Sequence, residues 1–219
     1  MMRSRASKLV DAKAKPWHDG GKIMPLDFDI ERPNEDETVL ILPYVRNFEE
    51  GRTNHGFQDT RGRPELIDGI AEAGASPALK ALLRALAQPA CKYFSIGCDL
   101  RTWPPSEQSD LFQAAGYIQL LSADLALEAV HRRRQMLFGR ALEAHLDRRV
   151  GDDDWVVRFA VAMVNAGDLG GPEQAWSPVI EFAALGETEA EADASGERLM
   201  LALRDFVAPA LQPGRGEQS

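Results

Sequence analysis

The chain has 219 residues, of which 44% are hydrophobic and 27% are charged. This composition is typical of a folded globular protein and excludes wholesale disorder, and the length suits one large domain or two small ones. The formal net charge of −9 argues against bulk binding to nucleic acid or to an anionic membrane. We therefore expect no membrane partner and disfavour nucleic acid.

The N-terminus is positively charged, but it lacks the apolar run of a signal peptide, because Asp11, Lys13 and Lys15 interrupt it. No stretch approaches the ~20 apolar residues that span a bilayer. The two cysteines, Cys91 and Cys98, fit no metal or redox spacing. Two unpaired thiols indicate a reducing compartment, so the sequence predicts a cytoplasmic protein.

Residues 1–38 differ in charge pattern from the rest of the chain. Residues 1–22 carry a net charge of +4 and residues 23–38 carry −5, and several prolines and glycines break any regular element there. One interpretation is a loosely attached tail. The other is a flexible, charge-segregated arm that binds a partner through Trp17 and Phe28, together with Ile23, Leu26 and Ile30.

We place the domain at 39–211, and its first part is predicted to contain a strand, a polar stretch and a short helix. The apolar run at 39–45 predicts a strand, and Pro43 favours a strand end or an edge position. A long polar stretch follows from Arg46 to Arg63. Pro64 suits the first turn of a short helix that ends near Gly74. Residues 212–219, rich in glycine and polar residues, predict a disordered tail.

Two helix starts are well defined. Ser76 is a good N-cap, Pro77 suits the first helical position, and leucines then recur at helical spacing until Pro89. Near the C-terminus, Thr188 and Glu191 form the Thr-x-x-Glu capping-box pattern. Between these helices we predict strands at 92–100, 116–121, 155–164 and 179–185, and a long helix from Ser122 or Asp124 to about Val150. The strand at 155–164 is apolar on both faces, which predicts burial on both sides.

From residue 76 the predicted order is therefore α-β-β-α-β-β-α. This order favours an α+β domain, with helices packed on a mostly antiparallel sheet of about five strands. Through the order of its elements alone, the chain looks like the small acidic α+β fold of type III secretion chaperones. That resemblance implies a non-catalytic role and identifies no site residue.

Sequence motifs for catalysis are missing. The chain has no Gly-x-x-x-x-Gly-Lys-Ser/Thr loop, no Gly-x-Gly-x-x-Gly and no Gly-x-Ser-x-Gly. Its four histidines, His18, His55, His131 and His145, show no zinc-binding spacing. We therefore predict no catalytic residue, no metal site and no cofactor.

The stretch from Arg46 to Arg63 is the best candidate for a ligand loop. It contains Arg52, His55, Arg61 and Arg63, and it leads into the helix start predicted at Pro64. Arginines beside unpaired helical N–H groups make an anion pocket. The alternative is a mobile surface loop, because acidic residues partly cancel the charge. In an enzyme, Asp99 or Arg101 could contribute from a strand end.

One short pattern on the long helix resembles a nuclease motif. Arg140 and His145 have the Arg-x-x-x-x-His spacing of HEPN-type ribonucleases, which implies RNA cleavage by these two residues. On a regular helix, however, positions five apart lie ~140° from each other around the axis. A half-buried structural histidine is the favoured interpretation of His145.

Our leading hypothesis is a non-catalytic cytoplasmic binding protein of the adaptor, chaperone or immunity-protein type, which engages another protein. A homodimer is the second partner that we consider. The alternative is an enzyme that acts on a phosphate- or carboxylate-bearing substrate through the Arg46–Arg63 loop. A ribonuclease that uses Arg140 and His145 is a third hypothesis.

Overall fold

The computed structural model describes residues 26–28, 39–45, 47–49, 52–106, 110–126, 129–149 and 155–207. For 26–28, 47–49 and 52–54 it describes the backbone only. Leu26–Phe28 belongs to the main sheet, whereas the rest of the predicted arm and the tail at 212–219 lie outside the described residues. The division into arm, domain and tail therefore stays a prediction.

Six of the described strands form one curled, mostly antiparallel sheet. Four long strands make its body, in the order β7-β8-β6-β5. Two short strands, β1 and β2, run parallel to β7 along its outer edge. A separate hairpin joins β3 and β4. The strand bounds are β1 Leu26–Phe28, β2 Leu40–Ile41, β3 Asn47–Glu49, β4 Arg52–Asn54, β5 Tyr93–Trp103, β6 Phe112–Ser122, β7 Trp155–Asn165 and β8 Ala175–Gly186.

The described helices are α1 (Ala71–Ala75), α2 (Pro77–Leu86), α3 (Arg132–Leu146) and α4 (Glu189–Val207), with 3₁₀ turns at Pro64–Gly69 and Gly167–Leu169. Both predicted caps are present. The Ser76 hydroxyl accepts a hydrogen bond from the Leu79 amide at 3.0 Å. At α4, the Thr188 amide donates to the Glu191 carboxylate and the Glu191 amide donates to the Thr188 hydroxyl, at 3.1 and 3.2 Å. This reciprocal pair is the capping box.

From residue 76 the elements follow the order α-β-β-α-β-β-α, and the predicted α+β class is confirmed. The last six of these elements make two units of one hairpin and one helix, β5-β6-α3 and β7-β8-α4. The two hairpins join through antiparallel pairing of β6 with β8. The centre of the sheet is therefore the seam between two similar units.

Two predicted boundaries were wrong. The long helix begins at Arg132 rather than near Ser122 or Asp124. The preceding residues Leu125 and Ala129 are buried, and the Ala129 carbonyl accepts a hydrogen bond from the Trp176 amide at 2.7 Å. This segment therefore packs against the sheet without forming a helix. The strand predicted at 39–45 shortens to Leu40–Ile41, because the chain leaves the edge of β7 after Leu42.

The two faces of the sheet are covered differently. On one face, α2, α3 and α4 enclose the main core. On the other, a smaller core around Leu42, Phe94, Ile96 and Leu121 fills one end. The segment after β2 covers this smaller core and reaches across the curled sheet, since the Tyr44 hydroxyl donates to the Ile96 carbonyl of β5 at 2.9 Å. Because none of the described α-helices packs on this second core, we call this second face the helix-free face.

None of the helices in the described ranges combines the length and the apolar character needed to cross a membrane.

Candidate functional site

A row of polar residues crosses the middle of the helix-free face. The strand register pairs Asp27 with Arg158, Arg158 with Glu181, Glu181 with Tyr117, and Tyr117 with Asp99. Each of these five positions belongs to a different strand, so the row runs from β1 to β5. Because residues directly opposite on adjacent strands lie on the same face, the register alone aligns them. We call Asp27, Arg158, Glu181, Tyr117 and Asp99 the polar row.

Three charged residues of the polar row, Arg158, Glu181 and Asp99, take part in ion pairs. The Arg158 guanidinium lies 3.7 Å from the Glu181 carboxylate, and both side chains are about a quarter exposed. At the β5 end, Arg101 Nε donates to Asp99 Oδ1 at 3.1 Å. Ion pairs at this degree of exposure contribute little net stability. Each of the four side chains nevertheless keeps part of its surface exposed.

Two tyrosines border the row near Gly97. The hydroxyls of Tyr44 and Tyr117 both lie 3.5 Å from the position that a Cβ on Gly97 would occupy. Burial raises the pKa of Tyr44 to about 12, and burial likewise raises the pKa of Tyr117. Both phenols are therefore neutral at physiological pH, where they act as hydrogen-bonding groups rather than as bases or nucleophiles.

Sequence analysis missed the polar row, apart from Asp99 and its neighbour Arg101. The signal was a single charged residue inside an otherwise apolar strand: Arg158 in β7 and Glu181 in β8. Such residues are rare in strands with two covered faces. Their alignment depends on the register between strands that are distant in sequence, which no local pattern encodes.

The arginine loop is organised around Asp59 instead of an open anion pocket. Arg61 Nε and Nη2 bind the two Asp59 carboxylate oxygens at 2.9 and 2.8 Å. The Arg61 guanidinium also lies 4.5 Å from the Phe94 ring centroid, at cation–π distance. Hydrogen bonding from Arg61 lowers the pKa of Asp59. Asp59 therefore already neutralises Arg61 in the structure.

The other predicted binding residues are spread over the structure. Arg63 is exposed and donates to the Asp59 carbonyl at 2.5 Å, and His55 is exposed. Arg52 stands opposite Glu49 in the small hairpin, and Phe28 stands opposite Phe159. Trp17 lies outside the described residues. Of this set, the structure brings Arg61 and Arg63 together, on either side of Gly62.

His145 packs against the end of α4. Its Nε2 lies 3.1 Å from the Ala202 carbonyl, and its ring centroid lies 5.4 Å from that of Phe206. Burial is the main reason that its pKa is lowered. Arg140 is exposed on the same helix. These contacts agree with a structural, half-buried histidine.

Neither cysteine is activated as a nucleophile. Burial raises the pKa of Cys98 to about 12 and also raises that of Cys91, so both thiols stay protonated at neutral pH. Within the described ranges, no three side chains of His, Cys, Asp or Glu cluster as a metal ion requires.

Comparison of the chain with protein-family models, with curated proteins and with solved structures gives no match. The polar row and the contacts around it therefore carry the functional argument.

Proposed function

We propose that this protein is a non-catalytic binding protein of the adaptor, chaperone or immunity-protein type, which engages another protein through the helix-free face of its sheet. The supporting observation is the polar row. It spans five adjacent strands, which at ~4.8 Å per strand is about 19 Å. An extended segment of about six residues has this length, whereas a small metabolite would contact only part of the row.

The chemistry of the row suits recognition better than catalysis. Arg158 is paired with Glu181, Asp99 is paired with Arg101, and the Tyr117 phenol is neutral. Trp103 adds an exposed aromatic side chain at the end of β5, and tryptophan is enriched among the residues that dominate protein interfaces. A partner segment would exchange its own polar groups for the ion pairs of the row and bury Trp103.

The alternative enzyme hypothesis depends on the Arg46–Arg63 loop. The pairing of Arg61 with Asp59 and its position over Phe94 count against an anion pocket there. For the location, we retain the cytoplasm as a proposal, since Cys91 and Cys98 are both free thiols and reduced cysteines are typical of that compartment.

Site-specific photo-crosslinking in the host cell tests the proposed face. A photoreactive residue at Trp103 is expected to crosslink to a second protein, and Arg101→Glu is expected to reduce the yield at least several-fold. The same photoreactive residue at Gln88, which is exposed and lies outside both the helix-free face and the outer surfaces of α3 and α4, is the matched control. If Trp103 gives no crosslink to another protein, or one that Arg101→Glu leaves unchanged, the proposal is wrong.

A further inference from the structure

The outer surface of α3 carries a stripe that the domain itself does not cover. Its inward face buries Gln135, Gly139, Leu142 and Leu146. The opposite face exposes residues at helical spacing, namely Arg133, Leu137, Arg140, Ala141 and Ala144. Leu137 is 58% exposed, which is unusual for a leucine in the middle of a packed helix. This stripe is apolar along its centre and basic along its sides.

The outer surface of α4 also carries an apolar stripe, and its N-terminal half is acidic, whereas Arg198 is exposed near the middle of the helix. Ala190, Ala194 and Leu201 are exposed at helical spacing along it. Acidic residues surround the N-terminal half of the stripe: Glu187, Glu189, Glu191 and Asp193 are all exposed. Together with Val130, the residues Leu137 and Leu201 make up half of the large exposed apolar side chains in the described residues.

The basic and acidic surfaces lie at opposite ends of the helix layer. The N-terminus of α3 lies where β5 and β8 begin, since Tyr93 donates to Gln135 and Arg132 stacks over Trp176. The N-terminus of α4 lies where β5 ends, since Thr102 donates to Asp193. At ~3.3 Å per residue, an eleven-residue strand separates these ends by roughly 35 Å.

This arrangement is self-complementary. We propose that the protein forms an antiparallel homodimer, in which α3 and α4 of one copy pack against α4 and α3 of the other. A twofold axis that lies between the two helix layers and runs across the strand direction places each basic end against an acidic end. The same contact then forms twice, as an isologous interface requires, and each Leu137 and Leu201 is buried in the interface.

The proposed dimer leaves both helix-free faces directed outward. This inference is independent of the proposed function, because it concerns the opposite side of the sheet. If both are correct, one dimer presents two binding faces on its two outer sides and engages two partner segments at once. Linked binding sites of this kind increase the apparent affinity for a partner that is itself multivalent.

Light scattering on the full chain, coupled to size-exclusion chromatography at several protein and salt concentrations, measures the oligomeric state. The expected mass is twice the 24.1 kDa of one chain, with dissociation favoured by high salt. Leu137→Asp is expected to yield a monomer. The matched control is Val45→Asp, which changes an apolar residue that is 83% exposed away from the helix layer and is expected to leave the dimer intact.

Paired charge reversals distinguish this interface from any other. The double variant Arg133→Glu/Arg140→Glu and the double variant Glu187→Lys/Glu189→Lys are each expected to be folded monomers, as circular dichroism would verify. Mixed in equal amounts, they are expected to restore the dimer, because both contacts again join opposite charges. A monomeric wild-type protein at every concentration, a dimer that survives both reversals, or a mixture that fails to associate would overturn the proposal.

Discussion

The two faces of the sheet use the same strands for different purposes. In β7, Phe159 is fully buried beneath the helices, whereas its neighbour Arg158 lies in the polar row on the other face. The helix-covered face excludes water from almost every side chain and forms the main core. The helix-free face combines a small core at one end with partly exposed ion pairs in the middle. Neighbouring residues of one strand therefore differ in burial, and under the function that we propose they also differ in role.

The sharpest test of this comparison removes a large side chain from the helix-covered face. Phe159→Ala is expected to lower the free energy of unfolding by about 3–5 kcal/mol, because it leaves a cavity in a close-packed core. Arg101→Ala on the helix-free face is expected to change it by no more than about 0.5 kcal/mol. Urea denaturation measures both, and similar losses for the two variants would contradict the comparison.

The N-caps of α2 and α4 also differ in burial. Ser76 is buried, caps α2 and donates to Glu197 of α4, so Ser76→Ala is expected to cost about 1–2 kcal/mol. Thr188 caps α4 at an exposed position, so Thr188→Ala is expected to cost about 0.5–1 kcal/mol. Equal costs, measured by thermal and urea denaturation, would show that burial at the covered face adds nothing to a cap.

Alkaline pH is expected to act on the helix-covered side through Cys98. Burial raises its pKa from the ordinary value of 9.0 to about 12. The folded state therefore keeps the proton where the unfolded state loses it, and stability that is full below pH 9 falls as the pH rises toward 12. The slope from one such group is about 1.4 kcal/mol per pH unit.

Cys98→Ala removes this contribution. Urea denaturation at pH 8 and at pH 10 is expected to show a smaller alkaline loss of stability for the variant than for the wild type. The packing cost of the substitution is the same at both pH values, so it cancels in this difference. Cys91→Ala serves as the comparison, because the Cys91 thiol is less buried than the Cys98 thiol. An identical pH dependence of wild type and Cys98→Ala would show that the Cys98 thiol ionises freely in the folded protein.

The smallest expected effect concerns the polar row itself. A double-mutant cycle with Arg158→Met and Glu181→Gln is expected to give a coupling energy of about 0.5–1 kcal/mol, because both side chains are partly exposed and their closest charged atoms are 3.7 Å apart. A coupling of several kcal/mol would mean that the row stabilises the fold. The helix-free face would then be a second structural surface, and the comparison between the faces would fail.

Local signals predicted much of the fold. The cap at Ser76 and the capping box at Thr188 and Glu191 are each specified within four residues, so both were found where expected. The double-sided apolar pattern of β7 was likewise correct. The start of α3 was misplaced because the hydrophobic pattern extends through Leu125 and Ala129, which are buried against the sheet outside any helix.

The candidate site could not be predicted from short sequence patterns. The arginine loop was the natural choice from composition, since its arginines are concentrated in one stretch. In the folded chain, Asp59 lies two residues from Arg61 and neutralises it, and Phe94 covers its guanidinium. The polar row was overlooked because directly paired members are far apart in sequence: Tyr117 and Glu181, for example, are 64 residues apart.

The sequence by itself determined the class of fold, the order of the elements from residue 76 and the starts of α2 and α4, because periodicity and capping depend on neighbours within a few residues. Tertiary structure alone decided which charges meet. Arg158, Glu181, Tyr117 and Asp99 form a row only because β6 pairs with β8 in one particular register. A shift of one residue would turn every side chain of a strand to the other face. The face that we propose for binding therefore depends on strand pairing between the two hairpins.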